Sequence, residues 1–200
     1  MGYAFHTKYS SPNHGNAVVP SPCRIVVLHW WGNPSGQNPW GICEWLCNPV
    51  SQVSAHAVIW PGNVAKLLDY RLRSWANGND AANNTSITIE CDPNNIDGTI
   101  PTIVEYLHDL IEQGVLAADF RITGHKDWYN TSCPGGYYPR LAEIRQASTT
   151  GEDMGHVDTI SDDAARKIAL AVMGGGGAAS VMYTDRLDGR QEYPETALFS

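Results

Sequence analysis

The sequence predicts an α/β domain with a mixed, partly parallel β-sheet flanked by helices, followed by a small C-terminal module. Short runs of β-branched residues alternate with segments whose apolar residues recur at helical spacing, a pattern typical of α/β proteins. This alternation stops near residue 147. A length of 200 residues is enough for one well-filled core and a small appendage. We therefore expect a main domain over 1–147, a linker over 148–159 and a C-terminal module over 160–200.

Four segments of the main domain are predicted to be strands. They are short and apolar, and several are closed by turn-forming residues. In chain order these segments are Arg24–His29, Val53–Trp60, Ser86–Cys91 and Asp119–Gly124.

Two segments are predicted to be helices. Over Trp40–Asn48, apolar residues recur at helical spacing and Pro49 follows the expected end. The clearer helix is Pro101–Gln113, where an apolar stripe lies on one face. Pro101 suits a first-turn position and Gly114 suits the C-terminal stop.

The five cysteines do not suggest a disulfide framework, because their number is odd and the chain begins without an apolar signal segment. Buried thiols or a metal ligand are the better expectations. Cys43 and Cys47 lie four residues apart on the first predicted helix, so they share a face and are expected to pack inward as small apolar residues.

Charge and hydropathy exclude two classes of partner. The formal net charge is −8, which disfavours nucleic acid. No apolar run reaches the roughly 18–20 residues that a membrane-spanning helix requires. The charge is uneven: residues 1–148 hold 9 Lys and Arg against 12 Asp and Glu, whereas residues 149–200 hold 4 against 9. An acidic C-terminal module could bind a cell wall only by specific contacts, or it could mediate self-association.

Candidate metal ligands follow two of the predicted strands. The segment Gly124–Gly135 places His125 at a strand end and Cys133 eight residues later, in a loop rich in Gly and Pro. Zinc favours such nitrogen and sulfur ligands, and a catalytic zinc needs three of them with one position left open. His29, at the end of another strand, is the natural third ligand. Spacing alone leaves the alternative that these histidines are ordinary core or surface residues.

Four motifs in order resemble the type 2 N-acetylmuramoyl-L-alanine amidases, the family shared by phage endolysins and peptidoglycan recognition proteins. They are VVLHWWG, VSAHAVI, NNTSITIEC and GHKDWYNTSCPGG, and they cover about residues 20–146. The resemblance implies the fold of that family and a Zn²⁺ ion on His29, His125 and Cys133.

The resemblance also implies catalytic roles for Glu90 and Thr131. Glu90 lies within an apolar strand, where an acidic side chain is costly unless it is satisfied or functional. It would move protons between water and the leaving amine, whereas the alternative is a salt bridge to Arg24 or Arg121. Thr131 would donate a hydrogen bond to the oxyanion, and the alternative is a turn residue that bonds its own loop.

Three further residues are candidate substrate-binding groups. His56 could line the cleft, although a local hydrogen bond within a strand is an equally good account. Its neighbour Ala55 is not a candidate. Some relatives carry a catalytic Tyr at this position, and because alanine cannot take its part, more of the chemistry falls on Glu90. Trp31 and Trp75 lie near the motifs and could stack on sugar rings, but several of the seven tryptophans must belong to the core.

The predicted function is that of an endolysin, a zinc amidase that cuts bacterial peptidoglycan between N-acetylmuramic acid and L-alanine. The resemblance implies synthesis in the host cytoplasm and holin-dependent release to the wall. The alternative is a module that recognises peptidoglycan without cutting it. Recognition proteins of this type usually lack the cysteine ligand, which Cys133 supplies here.

Overall fold

The structure is a computed structural model, and it describes residues 2–150. The predicted linker beyond Thr150 and the predicted module over 160–200 lie outside the described residues. Within residues 2–150 the main chain forms eight strands and four α-helices, with short 3-10 turns between them. In chain order the elements are β1 Ala4–His6, β2 His14–Val18, β3 Cys23–Trp30, α1 Pro39–Leu46, β4 Ala57–Trp60, β5 Asn63–Lys66, β6 Leu72–Ser74, α2 Asp80–Thr85, β7 Ile87–Cys91, α3 Ile96–Glu112, β8 Leu116–Gly124 and α4 Leu141–Thr150.

Six strands form one mixed sheet in the order β1-β5-β4-β7-β3-β8. All neighbouring pairs in it are parallel except β4 and β5, which form an antiparallel hairpin. Strands β2 and β6 form a separate antiparallel pair. The predicted α/β class with a partly parallel sheet is confirmed.

Apolar side chains cover both faces of the six-stranded sheet. On one face, the predicted apolar stripe of α3 packs against β4 and β8 and shares one apolar core with residues of β3 and β7, and α4 extends this core. On the other face, α1 packs Cys43 and Leu46 against Val58 and Ala65. All five cysteines are free thiols; Cys43 is fully buried as expected, whereas Cys47 is only partly buried against the same cluster. The face that α1 covers is also the face on which the candidate site lies.

Helix α3 begins five residues earlier than predicted. Asn95 caps it, because its side chain accepts a hydrogen bond from the Gly98 N–H at 2.9 Å. Pro101 therefore lies inside the helix and not in its first turn, so that part of the prediction was wrong. The predicted stop is confirmed, since Gly114 adopts a φ of 68° and its N–H bonds to the Ile111 carbonyl.

The strand predicted over Val53–Trp60 is shorter than expected. Only Ala57–Trp60 forms β4. Ser54 instead bonds through its main-chain N–H and its hydroxyl to the main chain of Trp75, so this segment leaves the sheet and joins the loop after β6. Residue 147, where the main domain is predicted to end, lies within α4, which spans Leu141–Thr150.

No helix among residues 2–150 is long and apolar enough to cross a membrane.

Candidate metal centre

The carboxyl ends of three parallel strands bring the candidate site residues to one edge of the sheet. His29 in β3 is paired with Glu90 in β7, and Leu28 is paired with Gly124, the last residue of β8. His125 follows Gly124 directly and begins a 3-10 turn. Ligand sites of α/β proteins commonly lie beyond the carboxyl ends of parallel strands.

His29, His125 and Cys133 lie close enough together to share one metal ion. Their ligand atoms all lie within 4.8 Å of one another, and no other group of three such residues occurs among residues 2–150. The two imidazole rings are 4.3 Å apart between centroids. The structure thus brings together the three residues that the sequence singled out.

The loop that carries Cys133 is held in place by main-chain contacts. The Lys126 N–H donates to the Cys133 carbonyl at 2.9 Å, and the Trp30 N–H approaches the Cys133 Sγ at 3.4 Å. Gly135 has a φ of 56°, and a Cβ there would lie 2.0 Å from an atom of the Trp30 ring. Glycine at this position lets the loop approach β3 closely enough to present the thiol.

The electrostatics of the three residues suit a cation. Burial and the neighbouring His125 lower the pKa of His29 to about 3, and burial also lowers the pKa of His125. Both imidazoles are therefore neutral and keep a lone pair for a metal. Burial, followed by the charge of Glu90, raises the pKa of Cys133 to about 12. A divalent cation would offset both the burial of the Cys133 thiolate and its repulsion by Glu90, so this donor set fits zinc.

Glu90 places an unpaired carboxylate beside the three ligands. Its Oε2 atom is buried and has no hydrogen-bond partner. Burial raises the pKa of Glu90 to about 7. The alternative ion pairs are not formed within the described chain, because Arg24 pairs with Asp119 and the Arg121 guanidinium lies over the Trp128 ring.

A cleft of about 460 Å³ opens over the ligands, and Trp31, Glu90 and Thr131 line it with them. The Thr131 Oγ1 accepts a hydrogen bond from the Cys133 N–H at 3.2 Å. Thr131 thus braces its own loop, as the turn account expects, and its side chain also lines the cleft.

Of the other predicted substrate-binding residues, Trp75 lies beside the cleft and His56 does not. Trp75 is 36% exposed and lines an adjoining cavity of about 430 Å³ with Tyr129 and His125. His56 is fully buried. Its Nδ1 accepts from the Thr88 N–H at 3.0 Å and its Nε2 donates to the Leu72 carbonyl at 2.9 Å. This favours the local hydrogen-bond account of His56 and corrects its placement in the cleft.

Asn77 is a site residue that the sequence did not suggest. It is fully buried in the loop between β6 and α2, and it contacts both histidines. Its sequence context, NGND, is a run of turn formers, which gives no sign of contact with residues 48 positions away.

Comparison with solved structures defines the class of this fold. A mutant endolysin from Bacillus subtilis superposes with a TM-score of 0.63 at 16% identity, covering 73% of this chain and 99% of that one. Drosophila peptidoglycan recognition protein SD gives 0.56 at 17% identity, covering 72% and 94%. Peptidoglycan recognition protein LE, solved in complex with tracheal cytotoxin, a monomeric diaminopimelic acid-type peptidoglycan, gives 0.55 at 15% identity, covering 72% and 93%. The fold is that of endolysins and peptidoglycan recognition proteins.

The sequence itself identifies the family. The family model described as N-acetylmuramoyl-L-alanine amidase matches residues 19–136. This chain belongs to that family. No curated protein matches it in a whole-sequence comparison.

Proposed function

We propose that this protein is a zinc-dependent amidase that hydrolyses the bond between N-acetylmuramic acid and L-alanine in bacterial peptidoglycan. One observation carries the proposal: two neutral imidazoles, a thiol and an unpaired carboxylate share one cleft. Family membership supports the reaction, and the donor set supports the metal.

Zinc held by His29, His125 and Cys133 would supply Lewis-acid chemistry, polarising a carbonyl oxygen and lowering the pKa of water. Glu90 would accept a proton from the attacking water and return a proton to the leaving nitrogen. Burial favours the protonated form of Glu90, which suits a carboxyl group that must hold a proton and then return it. The products would be a lactyl carboxylic acid on the glycan and a free α-amine on the stem peptide.

The remaining cleft residues would hold the substrate. Thr131 would donate a hydrogen bond from its hydroxyl to the oxygen that gains charge as water adds to the carbonyl. Trp31 in the cleft and Trp75 in the adjoining cavity offer aromatic faces that suit sugar rings. The site of action would be the cell wall, and release through a holin stays a prediction that rests on the resemblance alone.

The test compares products released from purified cell walls by the wild type, Cys133→Ala and Glu90→Gln. We expect new amines without new reducing ends from the wild type, and loss of this release after chelation. Cys133→Ala should lose both zinc and activity. Glu90→Gln should keep zinc, measured by metal analysis, and lose about 10²-fold or more in rate. Cys47→Ala, which removes a thiol outside the cleft, is the matched control and should keep both.

Three results would contradict the proposal. New reducing ends would indicate a glycosidase. Activity retained in Cys133→Ala would contradict a reaction that depends on a metal held by Cys133. Tight binding to walls without any release would favour a recognition module instead.

A further inference from the structure

Asn77 contacts both candidate histidine ligands with different atoms. Its side-chain Oδ1 lies 2.8 Å from the His29 Nε2, and its main-chain carbonyl oxygen lies 3.1 Å from the His125 Nε2. A carbonyl oxygen can only accept. The His125 Nε2 must therefore be the donor in that contact, and it carries the proton.

The contact to His29 depends on which way the Asn77 amide points, and Asn83 in α2 fixes this. The Asn83 Oδ1 accepts from the main-chain N–H groups of Asn77 at 3.0 Å and of Ala76 at 3.3 Å, so this atom is an oxygen. The Asn77 Nδ2 lies 3.0 Å from the same oxygen. Rotating the Asn77 amide by 180° would bring two oxygens together. Its Oδ1 therefore faces His29, whose Nε2 must also carry a proton.

We infer that Asn77 is a positioning residue that holds both histidines in the Nε2–H tautomer, leaving the Nδ1 lone pair of each for the metal. This inference rests on the metal binding proposed above. Histidine ligands commonly donate their other ring N–H to an acceptor that fixes the tautomer and the ring orientation. Here a single buried residue supplies that acceptor twice.

The surroundings of Asn77 make it a rigid acceptor. Asn79 begins α2 by accepting from the Ala82 N–H at 3.1 Å, and its Nδ2 lies 3.4 Å from the Trp128 carbonyl. The segment before α2 is thereby tied both to the helix and to the loop that carries His125. A rigid acceptor reduces the ordering that metal binding would otherwise require.

The first test reads the tautomers directly in the full-length, zinc-free protein. Long-range nitrogen-15 correlation spectra above the histidine pKa values distinguish protonated from unprotonated ring nitrogens. We expect a protonated Nε2 in both His29 and His125, and on zinc addition a shift of the unprotonated Nδ1 resonances. A protonated Nδ1 in either ring would overturn the inference. This test needs no variant and so does not depend on the folding of one.

The second test measures zinc affinity by competition with a chromophoric chelator. Asn77→Ala should raise the zinc dissociation constant by about 10- to 100-fold. Asn83→Ala, which frees the Asn77 amide to rotate, should weaken zinc in the same direction by less. Asn84→Ala is the matched control, because Asn84 is the next residue of α2 and makes no hydrogen bond to Asn77 or to either histidine; its affinity should be unchanged.

The outcomes separate this inference from the proposed function. If the wild type binds zinc and Asn77→Ala binds it equally well, the positioning role is wrong while the metal site stands. If the wild type binds no zinc, the proposed function fails, whatever the tautomer spectra show.

Discussion

At the scale of single residues, Glu90 carries an unfavourable electrostatic energy that no neighbour offsets. An unpaired buried carboxylate is disfavoured in its charged form, which is why its pKa rises to about 7. Burying a charged group without a partner costs free energy of folding. An unpaired buried carboxyl group in a cleft beside three candidate metal ligands therefore marks a candidate functional group.

His56 predicts how stability depends on pH. Burial lowers its pKa from 6.5 to about 4, so the unfolded chain binds a proton between these values and the folded chain does not. The contribution of neutral His56 to stability is therefore fully present above pH 6.5 and is lost as the pH falls towards 4. Between pH 7 and 5 this group should remove about 2 kcal/mol from the free energy of unfolding.

The measurement is urea unfolding of the zinc-free protein at pH 7 and pH 5, for the wild type and His56→Gln. His29 titrates in the same direction, so the informative quantity is the difference between the two proteins. The variant should lose less stability on acidification. An equal loss in both would show that His56 does not control the pH dependence.

At the scale of secondary structure, the register of β3 against β7 sets the composition of the site. Pairing His29 with Glu90 points both side chains to the same face of the sheet, the one opposite α3. A shift of one residue in this register would turn Glu90 into the apolar core beneath α3. The apolar neighbours Leu28 and Ile89 hold the register, because both must face that core.

The N-terminus of α3 gives a prediction at this scale. Asn95 is exposed and its side chain accepts from the Gly98 N–H, so its replacement removes the cap and little packing. Asn95→Ala should lower the free energy of unfolding by about 1 kcal/mol, whereas Asn95→Asp should retain the acceptor and most of the stability. Urea unfolding of the zinc-free proteins checks this. Equal stability of Asn95→Ala and the wild type would contradict it.

At the scale of the whole molecule, a buried contact at Ser148 predicts that the folded domain extends beyond residue 147. Ser148 is fully buried, and its carbonyl lies 3.1 Å from the His108 Nδ1 on α3. A chain ending at residue 150 keeps this contact, whereas a chain ending at residue 147 loses it. The shorter chain should melt about 2–4 °C lower, as expected for the loss of about 1 kcal/mol.

Thermal unfolding of both truncated chains beside the full-length protein tests the boundary. The chain ending at residue 150 should also keep zinc binding and release of amines from cell walls. Equal melting temperatures of the two truncated chains would place the boundary at 147 instead. Loss of activity in both, with zinc retained, would give residues 151–200 a role in binding the wall.

The sequence by itself determined the strands that carry the site and the side chains that converge on it. β3 and β7 are apolar runs that are largely buried, and this composition is visible without coordinates. β8 lies at the edge of the sheet and exposes Asp119 and Arg121, but its β-branched end before His125 is visible in the sequence as well. His29, Glu90 and His125 lie at or near the ends of those runs, so their convergence follows from a parallel sheet. The strands β1, β2, β5 and β6 are only three to five residues long and lack such apolar runs. They form because of strand pairing with segments elsewhere in the chain, which the local sequence does not reveal.

Only the tertiary structure decided the roles of Pro101, His56 and Asn77. The sequence predicted that a helix starts at Pro101, but the Asn95 cap and the packing of the apolar stripe make α3 begin before it. His56 read as a possible cleft residue, yet its hydrogen bonds to Thr88 and Leu72 turn it into the interior. Asn77 lies in a stretch of turn formers and meets His29 and His125 only because three strands and a loop end at one place. Local patterns report propensity and burial, whereas the partner of a buried polar atom is set by the packing of the whole chain.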